Sequence, residues 1–100
     1  MQIKKISVNT PLSHCDIIRE AMGNAGAGRI GNYTHCSFSV QGTGRSKHTL
    51  EAIPFAFEIV EEERIETFCN PDQLKDIVIA IRDAHPYEEP VITIQDAEVY

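Results

Sequence analysis

Apolar and polar positions change their period twice within the first half of the chain, and the second half repeats the change. From Gln2 to Asn9 they alternate, with Ile6 and Val8 sharing one face with the stem of Lys4, which predicts a half-buried strand. Thr10-Pro11 then offers an N-cap hydroxyl and a proline for the first helical position. Leu12, Cys15, Ile18, Ala21, Met22 and Ala25 recur at three- and four-residue spacing, an apolar stripe that predicts a helix. The stretch from Asn24 to Gly28 ends it, because glycine takes the left-handed conformation cheaply. A second strand is expected from Tyr33 to Gln41.

The same order follows again. Between Glu58 and Cys69, Ile65, Thr67 and Cys69 alternate with Arg64, Glu66 and Phe68, which predicts a third strand. Asn70-Pro71-Asp72-Gln73 reads as a helix start, with Asn as cap, Pro at N1 and Gln73 placed to complete a capping box. Leu74, Ile77, Val78, Ile81 and Ala84 form the second apolar stripe, Pro86 stops it, and Val91 to Gln95 reads as the last strand. Two strand–helix–strand units joined by a long loop interleave into a ferredoxin-like βαββαβ fold of the α+β class. It has a four-stranded antiparallel sheet and both helices on one face. The opposite sheet face is then left to water or to a partner, so assembly through it is expected.

Composition narrows the function classes. The 100 residues are 42% hydrophobic and 24% charged, ordinary globular values that fit one domain spanning residues 1–100. Nine basic residues stand against fifteen acidic ones, for a net charge of −6. The basic residues are scattered, so nucleic acid is not an expected partner. No apolar run reaches the ~20 residues of a membrane span, and the first residues alternate too early for a secretory leader. A cytoplasmic protein without a membrane partner is expected. Cys15, Cys36 and Cys69 lack a CxxC spacing and read as reduced thiols.

Four segments could carry chemistry. Gly26-Ala27-Gly28-Arg29-Ile30-Gly31 spells GxGxxG, but it leaves a helix and enters a strand, where the helix dipole has the wrong sign for phosphate. It reads as a helix stop and tight turn, with Arg29 as an anion contact. In Tyr33-Thr34-His35-Cys36-Ser37-Phe38-Ser39, neighbouring His35 and Cys36 would point to opposite faces of a strand and cannot pair as catalysts. The stretch from Gln41 to Pro54 is polar, glycine-bearing and locally basic through Arg45 and Lys47. It is either a loop that folds over a ligand or a surface hairpin. In His85-Pro86-Tyr87-Glu88-Glu89-Pro90, two prolines stiffen a segment presenting an imidazole, a phenol and two carboxylates. That set suits a transition-metal ion or general acid–base work, although His85 also fits a helix C-terminal cap. Glu61-Glu62-Glu63 reads as a solvated strand end.

These motifs also carry a resemblance. "AGAGRIGNYTHCSFSVQGTG", "ERIET" and "HPYEEP", in that order, resemble the small domain inserted within YqfO-type proteins, a PII-like or CutA-like module. "HPYEEPVI" is separately similar to the His-Pro-Tyr-Glu-x-Pro motif of CutA, the cation-tolerance proteins. The resemblance runs from Ile3 to about Gln95. It implies a stand-alone module that assembles as a homotrimer, with the 41–54 segment in the place where PII proteins sense ligands near subunit clefts. The dinuclear metal site of YqfO-type proteins lies in flanking halves that this sequence lacks, so that chemistry is not carried over.

The leading expectation is a non-enzymatic regulatory module binding a small molecule or metal ion. Arg29, Tyr33, Arg45 and Tyr87 are the candidate ligand contacts, and His85, Glu88 and His35 are the candidate ligands of a divalent transition-metal ion. Two alternatives stand beside it: a small hydrolase or isomerase using His85 with Glu88 or Tyr87, and a structural protein-interaction domain.

Overall fold

A computed structural model describes residues 1–49 and 57–100. Strand β1 (Gln2–Pro11) leads through a 3-10 turn at Leu12–His14 into helix α1 (Cys15–Asn24). Strands β2 (Phe38–Lys47) and β3 (Phe57–Cys69) follow, then a 3-10 turn at Pro71–Gln73, helix α2 (Leu74–Ala84) and strand β4 (Ile92–Glu98). The sheet order is β2-β3-β1-β4, with every neighbouring pair antiparallel. Each half therefore contributes one central and one edge strand, and each helix crosses over a strand of the other half. The expected interleaved α+β fold is the observed one.

The predicted alternation decides what is buried. Ile6, Val8 and Thr10 of β1 lie opposite Thr67, Ile65 and Glu63 of β3, on the face the helices cover. Cys15, Ile18 and Met22 of α1 and Ile77 and Ile81 of α2 close the core over them. Each fully buried isoleucine stabilises the fold by roughly 1.5–3 kcal/mol, so this small cluster dominates the energetics. On the other face Lys5, Ser7 and Asn9 alternate with the buried set, as do Arg64, Glu66 and Phe68. Phe38 (68% exposed) and Val40 (50%) of β2 stand on that open face too.

Three local expectations are corrected. The second strand begins at Phe38 rather than Tyr33, because positive φ angles at Gly28 (76°) and His35 (59°) turn the chain back on itself first. Gly28 N–H donates to Phe68 O at 2.7 Å and Cys36 N–H to Gly28 O at 3.0 Å, which ties this reversal to β3. The strand then runs past its expected end at Gln41 to Lys47, so that residues 41–47 form a hairpin arm with β3, the second of the two readings of that stretch, since its partners supply a backbone ladder that needs no apolar side chains. Of that expected stretch, residues 50–54 lie outside the described residues. Thr10 does not cap a helix: it is the strand position opposite Glu63, and its buried hydroxyl has no hydrogen-bond partner. Asn70 does stand at the expected cap position before Pro71, but the contact is made by its carbonyl, which accepts from Gln73 N–H at 3.0 Å.

The two ends of the chain lie side by side. The Met1 ammonium donates to Val99 O at 2.8 Å and Val99 N–H returns to Met1 O at 2.9 Å, extending the β1–β4 ladder.

Candidate ligand-binding cleft

The stiff segment after α2 is built from its histidine outward. His85 leaves the helix in extended conformation while its N–H still donates to Ile81 O at 2.8 Å. Its ring is buried and used at both nitrogens. Nδ1 accepts the Tyr87 N–H at 3.1 Å, so the proton sits on Nε2, which donates to Asn9 O at 2.9 Å. The His85 and Tyr87 rings lie 4.8 Å apart at 59°. One side chain thereby pins the turn and anchors it to β1.

Tyr87 is carried from that turn onto β3. Its hydroxyl donates to Glu62 Oε2 at 2.8 Å. Burial, and then the Glu62 carboxylate beside it, push the phenol above the usual tyrosine range. The other Glu62 oxygen lies over Gly44 of β2, where an added Cβ would come within 1.8 Å of it. Around Tyr87 and Glu62 opens a cleft of about 590 Å³, walled also by Arg45, Glu58, Glu88 and Glu89. The Glu61-Glu62-Glu63 stretch is thus not a solvated strand end. Glu61 is exposed, Glu62 holds Tyr87, and Glu63, on the opposite face, accepts from Arg19 of α1 at 2.7 Å.

That second contact belongs to the helix side of the sheet. The Arg19 guanidinium also reaches Ser39 Oγ at 3.0 Å and Asp16 at 2.8 Å, joining α1 to β2 and β3. Arg19 holds the Glu63 carboxyl below the usual carboxylate range. Nearby, burial and then Glu63 push the Cys15 thiol up to about 11.

The structure divides the sequence candidates into two groups. Arg45, Tyr87 and Glu88 meet at the cleft. Arg29, Tyr33 and His35 lie in the loop after α1, where Arg29 and Tyr33 are exposed. That loop is bonded to Phe68, which pairs with Lys5, whereas the cleft segment is bonded to Asn9. The groups are therefore separated by roughly 13 Å along β1. His35 covers Gly23 with its ring, and its Nε2 lies 3.0 Å from Asn24 Oδ1, so it latches the loop to the end of α1.

His35, His85 and Glu88 are accordingly not brought together as a ligand set. Among the described residues no group of three or more His, Cys, Asp or Glu side chains is placed to hold a metal ion. His85 has no lone pair left for a metal or for a substrate proton in this arrangement. Sequence reasoning missed Asn9, Gly44 and Glu62. The signal for Glu62 was present in the strand alternation, which puts it on the face opposite Glu63.

The strand order, the paired helices and the segment closing over the open face define a PII/CutA-like α+β domain. CutA from Archaeoglobus fulgidus superimposes with a TM-score of 0.75 at 13% identity, over 98% of this chain and 86% of that one. CPII, a nitrogen regulatory PII-like protein from Thiomonas intermedia K12, gives 0.70 at 14%, over 100% and 94%. At such identities the likeness is one of fold.

The sequence is more specific. It is 46% identical over 91 residues to the GTP cyclohydrolase 1 type 2 homolog of Halalkalibacterium halodurans, covering 86% of this chain and 24% of that protein. For the Bacillus subtilis homolog it is 40% over 101 residues, covering 96% and 27%. A Bacillus cereus protein related to NIF3 superimposes with a TM-score of 0.88 at 39% identity, over 98% of this chain and 26% of that one. This chain is homologous to one segment of these YqfO/NIF3-type proteins and spans about a quarter of the length of the curated relatives it matches. No protein-family model matches it.

No helix among the described residues is long and apolar enough to cross a membrane.

Proposed function

We propose that this domain is a non-enzymatic regulatory module that takes a small molecule in the Tyr87–Glu62 cleft and works as a homotrimer. The observation that carries the reading is the cleft itself. Arg45, Tyr87 and Glu88, from two different parts of the chain, face a space of about 590 Å³, within the usual range for small-molecule sites. The same fold in CPII from Thiomonas intermedia holds ADP, AMP and bicarbonate, which supports a small ligand here. Phe38 and Val40, exposed on the open face, support assembly, and the resemblance to CutA and PII proteins supports three copies.

Calorimetric titration with AMP, bicarbonate and zinc, on the wild type and on Arg45→Ala and Tyr87→Ala, tests the reading. Heat of binding for at least one probe, lost in both variants, is expected. Binding that ignores both substitutions would place the ligand elsewhere. A monomeric mass by light scattering would remove the trimer.

A further inference from the structure

One wall of the cleft is the segment after α2, through Tyr87, Glu88, Glu89 and Val91. Asn9 N–H donates to Val91 O at 3.3 Å, the Tyr87 hydroxyl donates to Glu62, and the Tyr87 amide donates to His85 Nδ1. Pro86 and Pro90 have no N–H to add. The bond to His85 exists only while its buried ring is neutral. Its two partners are a carbonyl that only accepts and an amide that only donates. A proton on Nδ1 would therefore set two N–H groups head to head.

We propose that His85 is a proton-operated latch on this wall: protonation of its ring releases the Tyr87 amide, frees the 86–90 segment and opens the cleft. The charges around the turn draw the proton in. Its own segment carries Glu88 and Glu89 at the cleft, and β3 brings Glu62 and Glu58 to Tyr87. Helix α2 ends there, with exposed Arg82 and Asp83 in its last turn, and a helix C-terminus favours a cation. Strand β1 presents the uncharged Asn9 carbonyl. From α1, Cys15 acts on Tyr87 as a neutral thiol, its pKa pushed up to about 11 by burial and then by Glu63. Charge thus favours the imidazolium, and the Tyr87 N–H is what opposes it. That amide belongs to the turn rather than to the sheet, so the turn yields. The inference rests on the reading of the cleft as a ligand seat, since a molecule gripped by this wall would be released on acidification.

The test follows nitrogen-labelled protein by NMR from about pH 8 to about pH 5, the range in which histidine changes charge. The His85 ring nitrogens and the Tyr87 amide should titrate with one midpoint. Exchange of the Tyr87 amide, corrected for its intrinsic pH dependence, should quicken by about tenfold, as expected for loss of one hydrogen bond. The Ile6 and Ile65 amides of the core should keep their shifts. His85→Asn offers an acceptor oxygen to the Tyr87 amide, as in an Asx turn, and does not titrate here. It should hold the neutral-pH pattern of Tyr87 throughout. The latch is overturned if the ring stays neutral to pH 5 or takes its proton without moving Tyr87. It is equally overturned if His85→Asn shows the same acid step, or if the core amides collapse with it. An opening step in a protein that binds none of the calorimetric probes at neutral pH would keep the latch and sink the ligand seat. A probe that binds without an opening step would do the reverse.

Discussion

The Tyr87 hydroxyl lies 2.8 Å from the Glu62 carboxylate and donates to it, which fastens the segment after the second helix to the third strand. Because burial and that carboxylate raise the phenol's pKa, the contact has a pH signature. The unfolded chain loses this proton near pH ~10, before the folded chain does. Stability from Tyr87 is therefore full below about pH 10 and falls as pH rises toward the higher folded value. Alkaline titration of tyrosinate absorbance should show a late step that Tyr87→Phe removes and Glu62→Gln shifts down. A late step that persists in Tyr87→Phe would assign it to another tyrosine. Loss of the bond should cost about 0.5–1.5 kcal/mol in urea unfolding.

Arg19 is the tie between the first helix and the sheet. Arg19→Met should lower stability by about 1–2 kcal/mol at neutral pH, a part-exposed ion pair with several hydrogen bonds being worth that much. Glu63, whose pKa is depressed, contributes stability that is present above the ordinary carboxylate range and lost as pH falls through its folded value. The deficit of the variant relative to the wild type should thus shrink below about pH 4. A deficit unchanged in acid would mean that packing, not charge, was lost.

Cysteine labelling should separate the three thiols. Cys15 and Cys69 are each 3% exposed, and burial raises the pKa of both. Cys36 is half-buried in the loop before β2. At about pH 8, a disulfide reagent should therefore modify Cys36 first and the other two only as the chain unfolds. Peptide mass spectrometry reads the order, and early modification of Cys15 would contradict the packing of α1 on β1.

Two glycines make a controlled pair. At Gly28 the φ of 76° disfavours any side chain, and a Cβ would sit 2.3 Å from the Cys36 carbonyl oxygen. Gly28→Ala should cost about 2–4 kcal/mol, because strain and collision add. Gly42→Ala, with open space around it, should be neutral or stabilise by up to about 1 kcal/mol. Chemical denaturation of both checks the contrast, and equal costs would refute it.

The frame of the fold was legible from local pattern alone. Period-two stretches, two apolar stripes and a proline beyond the second helix define β-α-β twice. Ile6, Val8, Ile18, Ile65, Ile77 and Ile81 were legible as core because burial follows local periodicity. The local reading failed where the deciding partner lies far along the chain. Residues 42–47 look like loop but pair with β3, since a ladder is made by backbone groups that composition does not report. Thr10 looks like a cap but is held in β1 by its neighbours on β3.

The cleft was legible only in pieces. Tyr87, Arg45 and Glu88 stood out by chemistry and local stiffness, whereas Asn9, Gly44 and Glu62 acquire their roles from strands brought alongside one another. His85 shows the limit most plainly. Its place at a helix exit suggested a metal ligand, a base or a cap. The tertiary fold places the Asn9 carbonyl and the Tyr87 amide against its two nitrogens, partners that no local pattern reports because one lies on β1, far along the chain.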